Sequence, residues 1–131
     1  MVKPFVLGLV EKEGKYLFLN RIDPPKVWSP PGGWLDKGEN PEDGLLREIK
    51  EETNLKVKII CPIHVFYKSK TNSLGFVYIC QYISGKVKIS FEHMDFMWKT
   101  LKEMKTEKIN CSPSVRILEK GEKILSCLKR S

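Results

Sequence analysis

Residues 33–55, GWLDKGENPEDGLLREIKEETNL, constrain the chain more than any other stretch. Their second half carries its own start and stop signals. Asn40 is a favoured N-cap, Pro41 suits the first helical position, and Glu42 and Asp43 put negative charge in the first turn, where a helix N-terminus stabilises it. At the far end Asn54 is, after Gly, the residue best suited to the left-handed conformation that closes a helix. These signals predict a helix over Pro41–Thr53, about three and a half turns.

Winding that helix places Glu48, Glu51 and Glu52 at i, i+3 and i+4, so three carboxylates share one face. Leu45, Leu46 and Ile49 fall on the adjoining arc and are expected to be buried. Gly44, one turn before Glu48, lies inside the acidic arc and leaves room close to the backbone. Like charges at this spacing repel by about 0.2–0.5 kcal/mol per pair, and only Arg47 and Lys50 adjoin them with opposite charge. Two readings follow: a solvated acidic patch, or a site for a hard divalent cation such as Mg²⁺, which prefers carboxylate oxygens. The residues before the helix favour the second. Pro30-Pro31-Gly32-Gly33 forms a loop whose glycines let backbone approach a ligand closely, and Glu39 stands just before the cap.

Gly33, Glu39 and Arg47-Glu48-Ile49-Lys50-Glu51-Glu52-Thr53-Asn54-Leu55 together match the spacing Gly-x5-Glu-x7-Arg-Glu-apolar-x-Glu-Glu-x-Gly-apolar, and so resemble the Nudix box. Asn54 stands where that family has Gly. The departure is mild, because Asn tolerates the same left-handed backbone, and it bears on the loop and not on the ligands. The resemblance implies an α/β fold, a Nudix-type α/β/α sandwich with a mixed β-sheet. It also implies an enzyme that hydrolyses a nucleoside diphosphate linked to another moiety, with Mg²⁺ or Mn²⁺. Glu48, Glu51 and Glu52 become the expected metal ligands, joined by the Gly33 carbonyl. One of these glutamates, or Glu92 with Asp95 in reserve, would take the proton. Arg47 is expected to hold the carboxylates in place by an ion pair with Glu39 and not to touch substrate. Arg21, at the end of the second strand, either faces the substrate phosphates, as in the family, or is a solvent-facing charge.

Phosphoanhydrides resist water because their negative charge repels nucleophiles, and divalent cations remove that obstacle. Within the family, a proline near residues 69–71 marks ADP-ribose hydrolases, and a tyrosine near residues 72–73 marks dinucleoside polyphosphate hydrolases. This chain has neither. The remaining expectation is (deoxy)nucleoside triphosphates, cut to monophosphate and pyrophosphate. An ADP-ribose or nucleotide-sugar pyrophosphatase on the same scaffold is the alternative. A domain that binds a nucleotide or RNA without turnover is the other, and it has no need of clustered, mutually repelling carboxylates.

The rest of the chain supplies a sheet and two further helices. Apolar runs at 5–10 and 16–19, separated by Glu11-Lys12-Glu13-Gly14, predict a hairpin with Gly14 in the turn. Trp28 and Trp34 flank the Gly-rich turn, where each can stack on a nucleobase or wedge the loop against the sheet. Residues 56–67 alternate, with Val57, Ile59, Ile63 and Val65 on one side, and Pro62 predicts an edge strand or a bulge. Residues 74–83 read as a buried strand and residues 87–89 as its return. A strand ending at Trp98 leads to a short helix around residues 101–104. Ser112-Pro113 supplies an N-cap and first position for a last helix, which Gly121 is expected to weaken midway.

At 131 residues, with no repeat, linker or low-complexity segment, residues 1–131 are expected to form one domain. With 41% hydrophobic residues the composition is that of a globular protein, and no run is long enough to span a membrane. The N-terminus lacks a small-residue cleavage site, so no signal peptide is expected. Cys61, Cys80, Cys111 and Cys127 show neither disulfide nor zinc spacing, which fits a reduced, cytoplasmic setting. His64 and His93 are read as structural, there being no second His at metal spacing. The net charge of +7 suits a small-molecule nucleotide and other polyanions. Lysine-rich solvated helix faces are the simpler account of it, so charge alone does not establish a nucleic-acid partner.

Overall fold

The computed structural model describes residues 1–21, 27–89 and 93–130; of Arg21, His93 and Met94 it describes the backbone only. The predicted hairpin is present as β1 (Lys3–Lys12) and β2 (Lys15–Arg21). Glu13 and Gly14, at φ 52° and 81°, both take the left-handed conformation of a tight turn whose twist matches that of its strands. There follow β3 (Trp28–Ser29), β4 (Gly32–Trp34), α1 (Pro41–Thr53), β5 (Lys56–Lys68), β6 (Ser73–Ser84), β7 (His93–Lys99), α2 (Leu101–Thr106) and α3 (Val115–Arg130).

β1 organises the sheet. Along one edge it runs parallel to β6, from Lys3 opposite Ser73 to Glu11 opposite Gln81. Its other edge is shared: Glu11 and Lys12 pair with β2, whereas Phe5, Val6 and Leu7 pair with β4, all antiparallel. β2 continues to β3 and β7, and β5 flanks β6. The sheet is therefore mixed.

Alternation of side chains along the strands divides the core in two. Val6, Val10, Leu17 and Leu19 face Leu45 and Ile49 of α1. Leu9, Phe18, Val77 and Ile79 face Leu101 and Met104 of α2 and Leu118 and Leu125 of α3. Helices cover both faces, as an α/β/α sandwich requires. Leu45 and Ile49 have no exposed surface. Burying each is worth about 1.5–3 kcal/mol, against a few tenths per repelling carboxylate pair, so α1 is held by its apolar face.

Four local expectations are corrected. Leu46 is 40% exposed, because the stripe through Leu45 and Ile49 already faces the sheet and the next residue is rotated off it. Residues 87–89 form no strand; the Lys88 N–H donates to the Thr53 carbonyl and Asn54 Nδ2 to that of Lys86. The segment thus serves the carbonyl-rich end of α1. In β5 the register shifts at Ile59/Cys61 and again at Pro62/His64. Val57 and Ile59 therefore stay on the α1 side, Ile63 joins Ile60 and Cys61 on the α3 side, and Val65 is 52% exposed. The bulge expected at Pro62 is one of two that bracket it: the first, before Cys61, switches the faces, and the second, before His64, switches them back.

The last correction concerns α3, which begins at Val115 and not at Ser112-Pro113. The N–H groups of Ile117 and Leu118 both donate to the Ser114 carbonyl, and the Ser112–Pro113 peptide is cis. Within α3, Gly121 has a packing role: a Cβ there would stand 3.0 Å from Ile79 Cδ1 and 3.3 Å from Ile63 Cδ1, so its absence lets α3 lie close on β5 and β6. All four cysteines are free, and burial pushes the Cys80 thiol up to about 12. Among the described residues no helix is long and apolar enough to cross a membrane.

Candidate active site

α1 is capped as its sequence demands. Asn40 Oδ1 accepts the Glu42 N–H at 2.8 Å, and Asn54, at φ 67°, donates its N–H to the Lys50 carbonyl at 2.9 Å. Asn54 therefore does what a glycine would do there. Ahead of the helix, Asp36 and Glu39 close a turn on each other: the Asp36 N–H donates to Glu39 Oε1 and the Glu39 N–H to the Asp36 carbonyl. The space left by Gly44 is taken by the Leu35 side chain and the Glu39 carboxylate, so it is the preceding loop that packs there.

Three contacts tie the Gly-rich strand to the acidic helix. The Gly32 N–H donates to Glu52 Oε1 at 2.9 Å, a buried bond between residues twenty apart. Gly33 lies against the Glu48 carboxylate, so that a Cβ would stand 2.5 Å from Glu48 Oε2. The Trp34 carbonyl accepts from Arg47 Nη2 at 3.3 Å.

Arg47 is the hub. Its Nε and Nη2 bind the two Glu39 oxygens at 2.8 and 2.9 Å, while Nη1 reaches Glu48 Oε1 at 3.0 Å and Glu51 Oε2 at 3.2 Å. Asp36, which sequence reasoning missed, adds a fourth carboxylate at 3.5 Å from Nε. Only its position three residues before Glu39 could have indicated it. One guanidinium thus serves four acids. Its hydrogen bonds, helped by the Asp36 N–H, lower the Glu39 carboxyl to about 2. Glu48 moves the other way: burial raises its pKa more than Arg47 lowers it.

The three glutamates expected on one face have separate surroundings. Glu48 is folded onto Gly33, the Glu51 side chain is 61% exposed, and Glu52 turns inward to Gly32 with 6% exposure. Among the described residues no three His, Cys, Asp or Glu side chains converge as a ready-made metal cage. Glu48 and Glu51 nonetheless meet at Arg47 Nη1, a cation held between two hard oxygens. The bare Gly33 backbone against Glu48 leaves a cradle that any side chain would fill. This donor set fits a divalent cation.

The remaining candidates are scattered. Trp28 is half-buried in the α3-side core, with its N–H on the Asn110 carbonyl and its carbonyl taking the Ser112 N–H, an arrangement that wedges the loop. Trp34 is 52% exposed and sits edge-on to Phe5. Asp95 is exposed and accepts the N–H of Phe96. Glu92 and the Arg21 side chain lie outside the described residues. His64 Nδ1 is 3.1 Å from Lys120 Nζ, a structural contact.

A mixed sheet thus lies between helices, with an acidic helix docked on a Gly-rich strand. The NUDIX domain model matches residues 2–120, and the chain belongs to the Nudix family, whose hydrolases act on phosphoanhydride bonds and generally use divalent metal ions. It is 33% identical to an ADP-ribose pyrophosphatase of Methanocaldococcus jannaschii over 62% of this chain and 52% of that protein. It is 24% identical to the nucleoside triphosphatase NudI of Klebsiella pneumoniae over 91% of this chain and 96% of that protein. The crystal structure of an ADP-ribose pyrophosphatase from Streptococcus suis matches with a TM-score of 0.77 at 21% identity, covering 92% of this chain and 90% of that one.

Proposed function

We propose that this chain hydrolyses (deoxy)nucleoside triphosphates to monophosphate and pyrophosphate, with Mg²⁺ or Mn²⁺ held by Glu48, Glu51, Glu52 and the Gly33 carbonyl. The observation that carries the site is the Glu48 carboxylate, half-buried against Gly33 and sharing Arg47 Nη1 with Glu51. The cation, when bound, withdraws charge from the phosphates and activates water near neutral pH. Glu51, the most solvent-exposed of the three, is the residue we assign to take the proton from the attacking water. Glu52 anchors the loop at Gly32, and Arg47 fixes the directions of Glu39, Glu48 and Glu51. Arg21 is proposed to meet the substrate; Trp28 serves the loop, and Trp34, expected to stack on the base, instead packs on Phe5 on the sheet face away from α1.

Two things support the triphosphate reading: residues 69–73 lack the proline and tyrosine of the other branches, and the similarity to a nucleoside triphosphatase runs nearly end to end. A second reading, hydrolysis of ADP-ribose, is favoured by the higher identity to the archaeal ADP-ribose pyrophosphatase over half of that protein. Incubation with nucleoside triphosphates, ADP-ribose and dinucleoside tetraphosphate plus Mg²⁺, with the products identified, separates them. Monophosphate and pyrophosphate from triphosphates is the expected result. Turnover of ADP-ribose alone overturns the substrate, and no turnover at all leaves a nucleotide-binding domain.

A further inference from the structure

Strand register aligns Trp34 of β4, Phe5 of β1, Gly75 of β6 and Phe66 of β5 in one row across the sheet, on the face that carries α3. Gly75 explains the spacing. A Cβ there would stand 2.5 Å from Phe5 Cζ and 2.6 Å from Phe66 Cζ, and without one the two rings close over it with centroids 5.2 Å apart. Trp34 extends the row at 5.5 Å from Phe5, and His64 extends it at the other end, stacked on Phe66 at 6.0 Å. Trp34 is 52% exposed and the other three rings are half-buried.

Lysines punctuate the row. Lys3 Nζ is 5.6 Å from the Trp34 ring, Lys68 Nζ is 5.7 Å from both the Phe5 and Phe66 rings, and Lys120 Nζ touches His64. Among the described residues none of these three lysines is paired with a carboxylate. Cross-strand packing over Gly75 accounts for the Phe5–Phe66 contact, but not for the open Trp34 ring or for unneutralised cations placed along the row. Accessible rings alternating with ammonium groups complement a chain of flat bases joined by phosphates. A mononucleotide would use one ring, and this row presents four. In a duplex the base faces are already stacked and closed to such a surface.

We propose that this row binds single-stranded nucleic acid, with bases on Trp34, Phe5 and Phe66 and phosphates on Lys3, Lys68 and Lys120. The net charge of +7 adds long-range attraction. Trp34 directly follows Gly33 in β4, and the alternation of the strand puts the row on the sheet face opposite the Glu48 carboxylate. The inference rests on the row itself and holds whichever nucleotide the site cuts.

Fluorescence anisotropy of the full chain with single-stranded RNA and DNA of about 12 nucleotides tests it, in chelator so that metal-dependent turnover is silent. Micromolar binding is expected, weakening about twentyfold between about 50 and 200 mM salt if three phosphates are engaged. Lys68→Gln should lower the log–log salt slope by about 0.7. Trp34→Ala should weaken binding at least fivefold or so. Circular dichroism confirms that both variants fold. The proposal is overturned by no binding, by equal affinity for a duplex, by a mononucleotide that competes as well as the oligonucleotide, or by variants that bind like the parent. Because the assay reads no hydrolysis, its failure leaves the substrate panel standing, and failure of the panel leaves this result intact.

Discussion

Arg47 and Glu39 are joined by two parallel hydrogen bonds, Nε to Oε2 at 2.8 Å and Nη2 to Oε1 at 2.9 Å. Glu39 precedes α1 and Arg47 lies two turns into it, so this fork ties the loop to the helix and aims Nη1 at Glu48 and Glu51. Lysine keeps the charge but not the planar fork. Arg47→Lys is therefore expected to lower both the thermal midpoint and kcat, with KM changing less, because the substrate is not its partner. Steady-state kinetics beside a thermal melt checks this; a rise in KM alone would make Arg47 a substrate contact.

The same pair sets a pH dependence. Arg47 lowers the Glu39 carboxyl from 4.5 to about 2, so between those values the folded state binds fewer protons than the unfolded one. Stability then rises with pH across that window. The contribution is complete above about 4.5 and is lost as pH falls toward 2. Glu39→Gln should melt below the parent near neutral pH, with the gap closing as the solution is acidified through that window. Melts in a pH series read this directly, and a gap that stays constant into acid would mean that the ionised fork is not its source.

Glu51 and Glu52 separate catalysis from support. The Glu51 side chain is 61% exposed and among the described residues bonds to Arg47, whereas Glu52 accepts the buried Gly32 N–H. Glu51→Gln should leave the melt unchanged and cut kcat by about two to four orders of magnitude. Glu52→Gln keeps an acceptor for Gly32 and should fold while losing turnover. Glu52→Ala strands that donor, costing about 1–3 kcal/mol in addition to activity. Parental turnover in Glu51→Gln would remove it from the chemistry.

What the sequence disclosed followed from how local each signal is. The bounds of α1 were legible because Asn40, Pro41 and Asn54 act on their own neighbours, and the β1–β2 turn was legible through Gly14. Even the pairing of Arg47 with Glu39 could be expected, since both belong to one motif. The destination of Glu52 could not, because it depends on how close β4 comes to α1, which is set by the bare Gly32 and Gly33 backbone. The switch of faces in β5 was hidden for a similar reason: Pro62 announces a bulge without saying where the register resumes. The packing role of Gly121 was hidden because helix propensity is local and the contact with Ile79 is not.

Gly33 offers the sharpest separation of fold from activity. It does not have a positive φ, so alanine can adopt its backbone without penalty. The obstacle is the Glu48 carboxylate, 2.5 Å from the added Cβ at Oε2 and 2.6 Å at Cδ. That carboxylate ends a flexible side chain and can swing away, so the sheet and helix need not move. Gly33→Ala should thus keep a near-parental melt while displacing Glu48 from the backbone it lies against. Turnover should fall about a hundredfold, within the range set by 1 Å misplacements at reacting centres, and a higher Mn²⁺ concentration should be needed for half-maximal rate. Gly75→Ala gives the contrast: its Cβ would meet the Phe5 and Phe66 rings, which are packed across strands and cannot swing as freely. There the melt should drop and the Mn²⁺ requirement should not move. If Gly33→Ala instead unfolded the chain and kept its Mn²⁺ requirement in the folded remainder, the contact with Glu48 would be packing and not part of the site.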